Sequence, residues 1–187
     1  MKIKFSKKIV LLALLVLLSG GGVAYFIFSP REAIVEYNIQ RDKKFILSLF
    51  DKDWYWLSGY EREESDTDQF LEKLLPPESA DMRYAGKLQI KMMYVKNQPA
   101  GFAAYYMNNA YEGILLFIDV APEFRRHQYG RMLIDYAVED MRKQGAGIVR
   151  LTTRPQNIAA QTLYKRAGFK EYTRDDVYVS FQKRLAS

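Results

Sequence analysis

The stretch APEFRRHQYGRML, residues 121–133, sets Arg125, Arg126, His127 and Gln128 directly ahead of Gly130 and an apolar-periodic helix. Where a loop opens a helix near Gln128 to Arg131, the first backbone N–H groups lack intrahelical partners and carry the positive end of the helix dipole. That arrangement suits a phosphate. Gly130 lets the backbone approach closely, and Arg125 and Arg126 add charge-assisted hydrogen bonds to phosphate oxygens. Arg131 fits the same role. His127 either reaches a phosphate or is an exposed loop histidine without a task, and a solvated basic helix start is the plainer reading of the whole loop.

Just upstream, Asp119 is a carboxylate in the otherwise apolar run ILLFIDV. Burial there raises a carboxyl pKa toward the range useful to a general base; a structural ion pair with Arg150, Arg154 or another cation is the alternative. Other chemistries are closed by composition. The absence of cysteine removes thiol nucleophiles, disulfides and thiolate metal sites, and one histidine leaves no His cluster for a metal. Of the formal charge of +6, four units come from Lys2, Lys4, Lys7 and Lys8, so the remainder is mildly basic and nucleic-acid binding is not expected.

The elements that position these residues follow from periodicity. AIVEYNIQ alternates Val35, Tyr37 and Ile39 with polar residues, the period of a half-buried strand. Phe45, Ile46, Leu49 and Phe50 then recur at helical spacing, as do Phe70, Leu71, Leu74 and Leu75 ahead of Pro76 and Pro77. Between them lie the aromatics Trp54, Tyr55, Trp56 and Tyr60, either lining a pocket or packing helices. LQIKMMYV, AGFAAYYM and ILLFIDV predict three strands in an antiparallel meander. A helix carrying Leu133, Ala137, Val138 and Met141, the strand IVRLTT, a helix from about Ile158 to Ala167 and two closing strands complete the pattern. Strand 114–120, the long helix and strand 148–153 form a β-α-β unit, so these strands should be parallel.

Ahead of residue 31, the run 9–28 contains no charge and follows four lysines. Its length matches a membrane-spanning helix, while Ile9 to Leu18 with Gly22 and Ala24 also fits a cleaved signal peptide. The expected organisation is an anchor or signal segment over residues 1–30 and one domain over residues 31–187.

The loop reads Val120, Pro122, Glu123, Phe124, Arg125, Gln128 and Gly130, and resembles the pyrophosphate loop of the GCN5-related N-acetyltransferase (GNAT) superfamily, with Gln128 in place of the first glycine. A left-handed glutamine costs roughly 1 kcal/mol and keeps its N–H, so the pocket is expected to persist. RPQNIAAQTLYKRAGFKEY resembles a second segment of that family, with Asn157, Ala160, Leu163, Tyr164, Gly168 and Phe169 in place. The detailed resemblance covers residues 114–173; from about 33 to 112 it is architectural.

This resemblance implies a mixed α/β, α+β-like fold in which a central mixed sheet, flanked by helices and preceded by one hydrophobic helix, splays its two parallel strands. It implies an acetyl-CoA-dependent N-acetyltransferase without a metal, acting on an amine-bearing small molecule or peptide by direct transfer. The cofactor would lie along Ile118, Val120, Arg125, Arg126, His127, Gln128, Tyr129, Gly130 and Arg131, with its acyl carbonyl at the Val120 N–H and its arm against Asn157. Tyr164 is implied as the acid beside the thioester sulfur. For the base, Asp119, Glu112 and a water relay remain open. Peptide-acetylating relatives often carry a glutamate where this chain has Thr152, which weakens a peptide acceptor. A non-catalytic acyl-CoA or peptide binder and a long-chain acyltransferase near the membrane are the other readings. Placement is a single-pass membrane protein with the domain in the cytosol if active, or a secreted or periplasmic domain if the leader is cleaved.

Overall fold

A computed structural model describes residues 32–58 and 88–185. The apolar run 9–28, Tyr60 and the expected helix around Phe70 to Leu75 lie outside those residues. No described helix is long and apolar enough to cross a membrane.

Strand β1 (Glu32–Glu36) ends earlier than the alternation through Ile39 predicts, because helix α1 (Ile39–Ser58) starts there. A reciprocal cap is the cause. The Asn38 side chain accepts from the Arg41 N–H at 3.1 Å, and the Asp42 carboxylate accepts from the Asn38 N–H at 2.8 Å. Asp42 is fully buried. Burial pushes its carboxyl up, but hydrogen bonds from Arg41, Tyr94 and the Asn38 backbone outweigh that and leave its pKa lowered.

Strands β2 (Gln89–Val95), β3 (Gln98–Met107) and β4 (Glu112–Val120) form the expected meander. Its first turn places Lys96 and Asn97 at φ 48° and 65°, the twist that a two-residue hairpin favours. Helix α2 (Tyr129–Lys143) carries the chain to β5 (Ile148–Thr153), which runs parallel to β4. Helix α3 (Ile158–Arg166), β6 (Lys170–Arg174) and β7 (Val179–Arg184) follow, giving one sheet in the order β1-β2-β3-β4-β5-β7-β6.

Both faces of the sheet are covered. On one, Ile46, Leu49, Phe50 and Trp54 of α1 pack on Met92, Phe102 and Phe117. On the other, Leu133, Ile134, Ala137 and Met141 of α2, with Tyr164 and Ala167, pack on Tyr105, Leu115, Val149 and Phe181. Two-sided cover explains why β3 reads as a continuous apolar run. Each such large apolar side chain contributes roughly 1.5–3 kcal/mol by leaving water.

The feature that matters for function is where the sheet opens. Pairing of β4 with β5 lasts only through Glu112↔Ile148, Gly113↔Val149 and Ile114↔Arg150. Beyond it β4 stays with β3 as far as Gly101↔Val120, and β5 stays with β7 as far as Thr153↔Val179. The parallel strands therefore separate toward the end at which loop 121–128 begins.

Candidate active site

The loop forms a short 3-10 turn, Pro122–Phe124, and then an extended Arg125. Arg126 follows at φ 67°, and Gln128 takes φ 67° and ψ 5° as it leads into α2. Glutamine thus adopts the left-handed conformation in which the family pattern has glycine. Left-handed residues next to helical ones turn successive N–H groups into one concavity that suits an anion. Among the described residues, the backbone N–H groups from Arg126 through Arg131 have no partner. Six aligned donors at a helix start fit the pyrophosphate of coenzyme A.

Only one of the three expected arginines is left for that phosphate. Arg125 turns inward: its Nε donates to the Val120 carbonyl at 2.7 Å, and its Nη2 lies 2.7 Å from Asp53 and 3.3 Å from Asp119. Arg131 ties α2 to α3, donating to Asp135 at 2.7 Å and to the Arg166 carbonyl at 2.6 Å. Arg126 is exposed and has no side-chain partner among the described residues. His127 donates to the Arg125 carbonyl at 2.9 Å and stacks on the buried Tyr129, so both brace the loop. Gly130 also serves packing, since a Cβ there would lie 3.1 Å from Leu163 Cδ2.

The gap between β4 and β5 opens beside Ile118, Asp119 and Val120. Ala121 donates to Ala100 of β3 at 2.9 Å, so strand alternation turns the N–H and C=O of Ile118 and Val120 away from β3 and toward the gap. Ile118 faces it without a strand partner on that side. Val120 is engaged at both groups: Arg125 holds its carbonyl, and its N–H donates to Asp119 Oδ1 at 2.7 Å. Asp119 is 11% exposed, and its Oδ2 is buried without a hydrogen-bond partner among the described residues. Burial, and then the Asp53 charge, push the Asp119 carboxyl up to about 7 against the opposing pull of Arg125 and the Val120 N–H.

Tyr164 enters from the other face of the sheet. Its ring is buried against Phe169 and Phe181, and its hydroxyl has no hydrogen-bond partner among the described residues. Burial raises its pKa, and the charge of Asp119 raises it further. The two residues proposed for proton transfer thus feel each other across the gap.

Glu112 is removed from this chemistry by its position. It sits at the opposite, fully paired end of β4, bound to Arg150 and accepting from Asn108 at 2.8 Å. Asn157 caps α3, its Oδ1 accepting from the Ala160 N–H at 3.1 Å, which leaves its amide NH2 for a ligand arm. Thr152 meets Ser180 at 3.1 Å. Trp54 belongs to the core, as the packing alternative has it, while Tyr55 and Trp56 remain exposed. Asp53 escaped the sequence reading. It stands at a kink in α1, with φ −117° and ψ 25°, and nothing in DKDWYW distinguishes it from a solvated helix carboxylate.

A splayed pair of parallel strands ending at an N–H cradle defines a class, the acyl-CoA-dependent N-acyltransferases. The acetyltransferase (GNAT) family matches residues 44–169, and the chain belongs to that family. Within it, the ribosomal protein bS18-alanine N-acetyltransferase of Escherichia coli (strain K12) is 36% identical over 62 residues. That stretch is 33% of this chain and 42% of the relative, so the chain matches less than half of the relative's length. PaiA N-acetyltransferase from Thermoplasma acidophilum, solved with coenzyme A, superposes with a TM-score of 0.65 at 20% identity, over 82% of this chain and 99% of that one. The ribosomal-protein-S18-alanine N-acetyltransferase structure from Escherichia coli gives 0.60 at 17% identity, over 83% and 95%. At such identities these superpositions establish the fold.

Proposed function

We propose that the protein transfers the acetyl group of acetyl-CoA directly to a primary amine on a small molecule or peptide. The observation that carries this is the buried, unpartnered Oδ2 of Asp119, set in the strand gap at the foot of the cradle. Acetyl-CoA supplies the activated acyl group; the residues supply the rest. Arg126 and the N–H groups of residues 126–131 hold the pyrophosphate, and Asn157 and Ile118 offer polar partners to the arm. Asp119 Oδ2 takes the proton of the attacking amine. As it does so, Asp119 becomes a weaker acceptor and loosens its hold on the Val120 N–H. That donor is then free for negative charge developing on the acyl oxygen. Tyr164 returns a proton to the departing sulfur.

A binding module without turnover is the alternative, motivated by Gln128 in place of glycine and by the open identity of the base; the left-handed backbone of Gln128 weakens the first motive. For placement, the apolar run 9–28 behind four lysines supports a single-pass anchor. Dependence on cytosolic acetyl-CoA favours a domain facing the cytosol. A reporter fused after residue 187 that proves active only outside the cytosol would count against that orientation.

A chain without cysteine allows a clean assay, because a thiol reagent then reads only released CoA. Amine-dependent release of CoA from acetyl-CoA is expected. Asp119→Asn and Tyr164→Phe should each lower kcat by about 100-fold while leaving acetyl-CoA affinity near wild type. Wild-type rates in both variants would assign the chemistry to other groups.

A further inference from the structure

The mouth of the gap carries a charge that the proton transfers above do not use. Arg154 follows β5 four residues beyond Arg150, whose parallel partner is Ile114. Arg154 therefore stands just past the end of β5, on the side where the two parallel strands have separated. Its guanidinium lies 5.1 Å from the ring centre of Tyr55 on α1 and 5.1 Å from that of Tyr178, just ahead of β7. Two rings thus hold the group in place at the strand end.

What the rings do not supply is a counter-ion. Arg125, Arg131, Arg150 and Arg174 each hold a carboxylate. Arg154 has none among the described residues, and its Nε is buried without a hydrogen-bond partner. A guanidinium fixed in orientation, whose donors no described residue takes up, is a fork suited to a carboxylate. The opposite side of the mouth has the complementary sign, since Asp53 and Asp119 share one cation, Arg125, among the described residues. The last turns of α1 span both sides, Asp53 reaching the β4 side and Tyr55 the β5 side.

We infer that Arg154 anchors a carboxylate of the acceptor, so that the substrate is a primary amine carrying a carboxylate on the same molecule. The amine lies at Asp119 and the carboxylate on Arg154. This inference rests on the acetyltransferase reading. An uncharged acceptor would leave the guanidinium unpaired as it closed the site to water, which is how a binding site rejects an analogue that lacks one polar group.

The test uses the full-length protein, acetyl-CoA and a series of ω-amino carboxylates of increasing length, each beside its primary amide, with released CoA thiol as the readout. In wild type the best carboxylate should exceed its amide by about tenfold or more in kcat/KM, through KM. Arg154→Gln should bring that ratio to about one, and Arg154→Lys, which keeps the charge and loses the fork, should retain part of it. The ratio is taken within one preparation, so partial unfolding of a variant cancels. Equal wild-type rates on carboxylates and amides, or a preference that survives Arg154→Gln, would overturn the inference and leave Arg154 as a strap between α1 and β7. Calorimetric titration with acetyl-CoA separates the two claims. No binding by wild type brings down the acetyltransferase reading and this inference with it, whereas binding without charge preference brings down the inference alone.

Discussion

At the scale of single residues, the proposal of Asp119 as the base predicts a pH dependence. Its carboxyl is pushed up to about 7 by burial and then by Asp53, so kcat/KM is expected to rise with pH through about 7 and then level off. Asp119→Asn should abolish that limb. Because Arg125 favours the ionised form and Asp53 opposes it, Arg125→Gln should move the limb to higher pH and Asp53→Asn to lower. A pH–rate profile of the three variants checks all of this. Stability follows with its own sign. The folded-state pKa lies above the ~3.9 of an unfolded aspartate, so this contribution is full below about pH 4 and is lost as pH rises through about 7. Between pH 5 and pH 8 the melting temperature of wild type should therefore fall more than that of Asp119→Asn. Asp119 and Tyr164 stand out in the sequence as candidates, one as a carboxylate in an apolar strand and the other inside a spaced segment. The inward turn of Arg125 does not, because its partner Asp53 is 72 residues away and only the fold brings them together.

Elements were legible where their geometry constrains residue types. The strands of the meander and the β-α-β unit follow from alternation and helical spacing, and the loop announces itself because a tight N–H cradle demands small or left-handed positions. Gln128 is the exception that carries a cost. At φ 67° its side chain strains a backbone that glycine would accept freely. Gln128→Gly is expected to stabilise the protein by about 1 kcal/mol and to raise the melting temperature by about 2–4 °C, with acetyl-CoA binding retained. Differential scanning calorimetry reads the first effect and titration the second. A fall in melting temperature would mean that the glutamine side chain contributes more than its backbone costs. The start of α1 departs from the sequence alternation for a physical reason. Val35, Tyr37 and Ile39 alternate as a strand should, but the Asn38–Asp42 cap satisfies the first N–H groups and wins locally.

For the molecule as a whole, two apolar layers meet at one gap. α1 brings Asp53 and Tyr55 from one face of the sheet, while α3 brings Tyr164 from the other. No single segment contains the candidate site, so a local motif can point to a cofactor loop, while an acceptor side assembled from distant segments leaves no such motif. Coupling between core and site should be visible. Leu133→Ala, at a fully buried position on the inner face of the cradle helix, should cost about 2–5 kcal/mol. Saturation with acetyl-CoA at a hundred times Kd should restore about 2.7 kcal/mol of that, measured by denaturant unfolding with and without ligand. The most direct test of the acetyl-CoA cradle is calorimetric titration of wild type and of Arg126→Glu. A single site in wild type, weakened about tenfold or more in the variant, is the expected result, because the substitution sets a carboxylate against the pyrophosphate. A folded wild-type protein that takes up no acetyl-CoA, or a variant that binds it equally well, would contradict the assignment of residues 126–131 as its binding loop.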